Sequence, residues 1–185
     1  MAMTAMGIDT TQVTLINPAT TSDIFSKILC PLGFIHLEPA SKQMMKNAAG
    51  DISASGDQSW IYIYNEGDAD LTPGDLAARS GNGAAVALST ATDAASAIVG
   101  VAQHTIPSQA AGFILRKGWG LVQFSSAGLK NNNIIPTRAG ADGAADPQGI
   151  LTDAGALEFW GDNIGHLTQD VGDDELLEAW LDCSG

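Results

Sequence analysis

Between Asp57 and Asn65 the chain reads DQSWIYIYN. In a strand, alternation places Trp60, Tyr62 and Tyr64 on one face and Ile61 and Ile63 on the other. Both faces are apolar. The segment is therefore expected to be buried on both sides, or buried on one side with the other at an interface. A strand of this kind needs neighbours, and the rest of the chain offers them as short pieces. Its 185 residues suit one domain, or one domain with an extended arm. The hydrophobic fraction of 45% is enough for a core, although much of it is alanine. The 21 glycines, with frequent Asn, Asp, Ser and Thr, favour short strands and tight turns over a helical bundle.

Along the chain, residues 1–22 read as an extended arm or a loosely packed strand. SDIFSKIL, residues 22–29, has the pattern of a short helix capped by Ser22 and stopped by Pro31. Thr72-Pro73-Gly74-Asp75 is a β-turn signature, with Pro setting φ at its second position and Gly supplying φ > 0 at its third. Residues 84–89, AAVALS, predict a strand of small residues, and Thr92–Ala97 a helical turn or loop. Residues 98–122, IVGVAQHTIPSQAAGFILRKGWGLV, read as a hairpin with an ordered polar loop, followed by Leu121–Phe124. Residues 138–149 read as a small-residue, Asp-rich loop, and Leu157–Trp160 as a strand. ELLEAWLDC, near the end, fits a strand or a helix on period alone.

Comparing the chain with itself separates those two. Val99-Gly100 and Ile106 have counterparts in Ile164-Gly165 and Val171, 65 residues on. Each set leads through a polar loop into an apolar stretch, Phe113-Ile114-Leu115 in one and Leu176-Leu177 with Ala179-Trp180-Leu181 in the other. Leu71–Asp75 is echoed by Leu129–Asn133. The internal repeat, residues 71–118 and 129–181, makes ELLEAWL a strand. The expected fold is mainly β: a compact barrel or sandwich of short strands from two hairpin-containing repeats, with at most one or two short helices. Residues 1–56 are read as arm and entry segment, and 57–185 as the β-rich domain.

The chemistry is sparse. The net charge of −13 would repel nucleic acid, whose binding rests on neutralised phosphates. No apolar run reaches the ~18–20 residues of a membrane helix, and the N-terminus lacks the basic start and apolar core of a secretory signal. Cys30 and Cys183 form neither a disulfide framework nor a metal spacing and suit a reducing cytoplasm. Cys30 has no basic neighbour to activate it. His36, His104 and His166 lack ligand spacing, so loop or edge-strand histidines are expected and no metal. The G-x-G pairs at 81/83 and 118/120 lack a phosphate-loop context and read as turns and bulges. Asp170, Asp173, Asp174 and Glu175 raise calcium, but the spacing is not that of an EF-hand, and a solvated loop is expected. Trp60, Trp119, Trp160 and Trp180 fit core or interface packing, with carbohydrate stacking as the alternative. No catalytic set, cofactor motif or enzyme signature emerges.

The series Leu71-Thr72-Pro73-Gly74-Asp75, then Ile98-Val99-Gly100-Val101-Ala102 with Ile106, then Gly112 through Gly118, resembles the capsid decoration (head-cement) proteins of tailed bacteriophages. In that family VGVA, a short polar loop and a return strand form a recurring hairpin of a small β-rich domain. The resemblance covers roughly residues 57–181. It implies a virion surface protein, often trimeric, made in the host cytoplasm, that binds the major capsid protein from outside and stabilises the shell. Trp60, Ile61, Tyr62, Ile63 and Tyr64 are then the candidate oligomer or capsid interface. The alternatives are another β-rich virion component, such as a tail or fibre-base protein, or a carbohydrate-binding module.

Overall fold

The computed structural model describes residues 8–16, 28–38, 44–46, 52–54, 58–81, 84–89, 97–124, 133–136, 145–148, 164–167, 169–170, 172 and 175–183. These hold β1 (Thr14–Leu15), β2 (Ile35–Glu38), β3 (Met44–Lys46), β4 (Ile52–Ala54), β5 (Gln58–Asn65), β6 (Leu76–Arg79), β7 (Ala85–Leu88), β8 (Ile98–Val101), β9 (Ala110–Gln123), β10 (Asn133–Pro136), β11 (Ala145–Gln148), β12 (Gly165–His166) and β13 (Leu176–Asp182). No α-helix occurs among the described residues. β3 and β4 pair only with each other, and the other strands form one sheet.

Five of those strands close into a barrel. β5 pairs antiparallel with β9 and parallel with β7. β7 pairs with β6, β6 with β8, and β8 with β9 at Val101–Leu115. Closure leaves the ring itself without free edges. Ile63, Ala77, Val86, Val99 and Ile114, one from each strand, share the core cluster inside it. Thr72–Asp75 turns as its sequence predicts. Gly74 has φ +95°, Asp75 N–H donates to Thr72 C=O at 3.0 Å, and the Asp75 carboxylate accepts from Thr72 N–H at 2.7 Å. Fully buried Asn65 ties two loops to the rim, donating to the carbonyls of Ala69 and Ile106 and accepting from Gly67 N–H.

The return strand of the hairpin outgrows the barrel. β9 runs 14 residues and absorbs Leu121–Gln123, which the sequence suggested as a separate piece. Residues 111–117 pair with β5, and residues 117–123 pair with β13. β12 and β10 extend the sheet beyond β13. This second sheet folds over the outer wall of the barrel. Val122, Phe124, Ile164, Leu167, Ala179 and Leu181 meet Trp60, Tyr62, Leu76, Val101, Phe113 and Leu115 in one buried cluster. On its other edge, among the described residues, the far half of β9 is capped by two glutamine side chains and a turn carbonyl. The Gln103 amide donates to Leu121 C=O at 3.0 Å and accepts from Leu121 N–H at 2.8 Å. Gln58 donates to Trp119 C=O, and Gly74 C=O accepts from Gln123 N–H.

The pairings repeat along the chain. The order β7-β6-β8-β9 recurs as β11-β10-β12-β13. Leu76 faces Val101 and Val101 faces Leu115; Asn133 faces His166 and His166 faces Trp180. A Cβ on Gly100 would stand 2.5 Å from the Leu115 carbonyl oxygen, and one on Gly165 would run into that of Trp180. Both glycines therefore let neighbouring backbones touch.

Several expectations change. Of the two readings of the N-terminal part, residues 8–16 follow the packed strand: β1 pairs with β9, and Ile16 is buried in the core. β2, in the entry segment, joins the same sheet through β5. Residues 22–27 of the expected helix lie outside the described residues, and Ile28 and Leu29 are not helical. Residues 145–148 of the expected loop form β11. Leu157–Trp160 lie outside the described residues. ELLEAWL is strand, as β13.

Two substitutions test these contacts by denaturant unfolding. Gly100→Val should cost about 3 kcal/mol, because the Leu115 carbonyl and the Ile114 side chain block the new methyl groups. Gln103→Ala should cost about 1–3 kcal/mol by stranding both backbone groups of Leu121. Parental stability in Gly100→Val would show that the two strands can separate freely.

Candidate contact surface

Of the candidate interface residues on β5, only Ile61 and Tyr64 keep some exposure. Trp60 and Tyr62 pack in the cluster under the second sheet, with the Tyr62 and Phe113 rings 4.8 Å apart. Ile63 is fully buried inside the barrel, with Ile61 partly buried against the same cluster, and Tyr64 is partly buried against the outer one. The face expected to be left for a partner is filled from within the chain. The sequence could not show this, because the covering residues come from β9, β12 and β13, far along the chain from β5.

Apolar surface is exposed instead around the N-terminal strands. Ile35 and Leu37 of β2 are 44% and 67% exposed, while His36 and Glu38 turn inward and are half-buried. The His36 ring lies edge-on to Phe113 at 6.4 Å. A strand that hides its polar residues and shows its apolar ones reverses the usual alternation. β2 ends the sheet and pairs only with β5 among the described residues. Phe34 precedes it, and Leu29 and Leu15 are also exposed. The signal was present as I-H-L-E, but polarity alone does not say which face looks outward.

A second surface runs across β9, β13 and β12. Trp119 faces Trp180, and Trp180 faces His166. The indoles meet edge to face at 6.0 Å, and His166 stands 6.4 Å from Trp180. Lys117 and Asp182 form the next rung, with an ion pair of 2.7 Å. Both side chains are well exposed, so the pair adds little stability.

Among the described residues no three His, Cys, Asp or Glu side chains group as metal ligands would. Asp173 and Asp174 lie outside the described residues, and the Glu175 carboxylate accepts from Gly172 N–H as a local turn cap. Burial pushes the Cys183 thiol up to about 12, and burial also raises Cys30. His104 sits in the hairpin loop with a buried Nε2 that has no hydrogen-bond partner. Burial lowers its pKa, and nearby Asp9 partly opposes that shift.

These shifts give two tests. Below the ordinary histidine pKa of about 6.5, the unfolded chain takes up a proton that folded His104 resists, so stability should fall with acid. His104→Gln should flatten this part of the pH profile in urea unfolding while keeping the fold. In the folded protein at neutral pH, maleimide should label Cys30 well ahead of Cys183. Equal labelling would place Cys183 outside the core.

Comparison with protein-family models and with curated proteins finds no match. Among solved structures, the chain is similar to the N base of the head fiber gp8.5 of bacteriophage phi29. The TM-score is 0.46 at 13% identity, covering 67% of this chain and 95% of that one.

Proposed function

We propose that this protein is a non-enzymatic structural component of a bacteriophage virion that seats on the outside of the capsid and stabilises the shell. The observation that carries the reading is β2, the end strand that turns Ile35 and Leu37 outward. An outward apolar strand at a sheet end offers both an apolar strip and backbone groups for a partner to cover. The order Leu71–Asp75, Ile98–Ala102 and Gly112–Gly118, similar to capsid decoration proteins, supplies the kind of partner: the major capsid protein. The scaffold suits such a task. A closed barrel with a sheet folded against it holds a contact strand rigid, so little conformational freedom is lost on binding. The net charge of −13 discourages non-specific association. The protein acts as a homo-oligomer, a trimer by that resemblance.

Cosedimentation with empty phage heads and light scattering on the free protein test this reading. Wild type should bind heads and raise their resistance to heat. Leu37→Asp, at an exposed position, should fold normally and bind at least tenfold more weakly, because a carboxylate would be buried without a partner. Absence of head binding by wild type, or undiminished binding by both Leu37→Asp and Ile35→Asp, would overturn the proposal. Ile63→Asp is unsuitable for this purpose, since it places a charge inside the barrel.

A further inference from the structure

The row formed by His166, Trp180 and Trp119 has a counterpart in the first half of the chain. Val101 faces Leu115, which faces Trp60, across β8, β9 and β5. That row is buried beneath the second sheet. The later row lies on the outer face of the second sheet, where His166 is exposed and both indoles are half-buried. Where the covered row has Val and Leu, the uncovered row has His and Trp. Leaving indole surface in water is unfavourable, and smaller or polar residues would avoid that cost. The row instead holds its rings side by side at 6.0 Å and 6.4 Å, next to the exposed Lys117–Asp182 pair.

We propose that this face binds a neutral oligosaccharide. A pyranose presents an apolar C–H face, which an indole covers well, and a rim of hydroxyls that each donate and accept. The row supplies aromatic surface, and Lys117, Asp182 and His166 supply polar groups along its border. Charge narrows the class. A protein of net charge −13 disfavours sulfated, sialylated or phosphorylated glycans. The aliphatic strip on β2, by contrast, lacks such an aromatic row and suits a protein. The inference does not depend on the capsid reading.

The purified full chain is titrated with a panel of neutral tetrasaccharides built on glucose, galactose, mannose, rhamnose and N-acetylglucosamine, and with their sulfated forms. Tryptophan fluorescence and saturation-transfer NMR report binding. At least one neutral sugar should bind with Kd of about 1 mM or tighter, and its sulfated form more weakly. Trp180→Leu copies Leu115 of the covered row and should lose roughly tenfold in affinity. His166→Val copies Val101 at an exposed position and should lose severalfold, so the test survives if Trp180→Leu folds poorly. The proposal fails if no neutral sugar binds at about 10 mM. It also fails if His166→Val and a folded Trp180→Leu bind as wild type does, or if sulfated sugars bind best. A change in oligomer size in these variants, without sugar binding, would assign the face to a protein contact and overturn it.

Discussion

The fold depends on satisfying both edges of β9. A 14-residue strand carries more backbone hydrogen-bonding groups than the barrel can use, and each unpaired buried group costs about as much as a lost hydrogen bond. Its first half is consumed by β5, β8 and β1. Its second half leaves the ring and gains β13 on one side. On the other side no strand pairs with it among the described residues. There the Gln103 amide takes the part of a peptide unit, giving and taking one hydrogen bond with Leu121, and Gln58 and Gly74 continue the line. The same strand thereby closes the barrel and opens the sheet that covers it.

That sharing explains how two similar units make one core. In the first unit β9 is the last strand of β6-β8-β9, and its far half then stands beside β13 as β5 stands beside β9. The second unit lays Ile164, Leu167, Ala179 and Leu181 on the first unit's outer wall, which buries Trp60, Tyr62 and Leu115. Repeats that each bury the neighbour's apolar face gain stability only together. The N-terminal segment fits the same logic at the opposite margin, where Ile16 enters the cluster and Ile8 packs against it.

Local signals were legible where a single residue type determines backbone geometry. Gly74 had to follow Pro73 in a turn, and it does so at φ +95°. WIYIY announced a strand with two apolar faces, and the 65-residue offset made ELLEAWL a strand against its ambiguous period. What could not be read was coverage. Whether Tyr62 or Leu37 meets solvent depends on which distant strand lies over it, and neither periodicity nor composition carries that information. The role of Gln103 was equally hidden, because a glutamine in a polar loop has the same local signature whether it faces water or caps an edge.

The two outer faces then follow from how the repeat ends. A wall covered by its own chain can be apolar throughout, and Val101, Leu115 and the buried Trp60 comply. A wall that the described strands leave open must be compatible with water or with a ligand. β2 and the Trp119–Trp180–His166 row meet this condition differently. β2 shows aliphatic side chains with no polar border on its outward positions, which suits an extended partner that brings its own backbone groups. The aromatic row mixes ring faces with an amine, a carboxylate and an imidazole, which suits a ligand that is itself amphipathic over a few ångströms. The scaffold separates the two: one lies at the first end of the sheet beside the barrel, the other beyond the point where β9 leaves it. Occupying either face need not uncover the other.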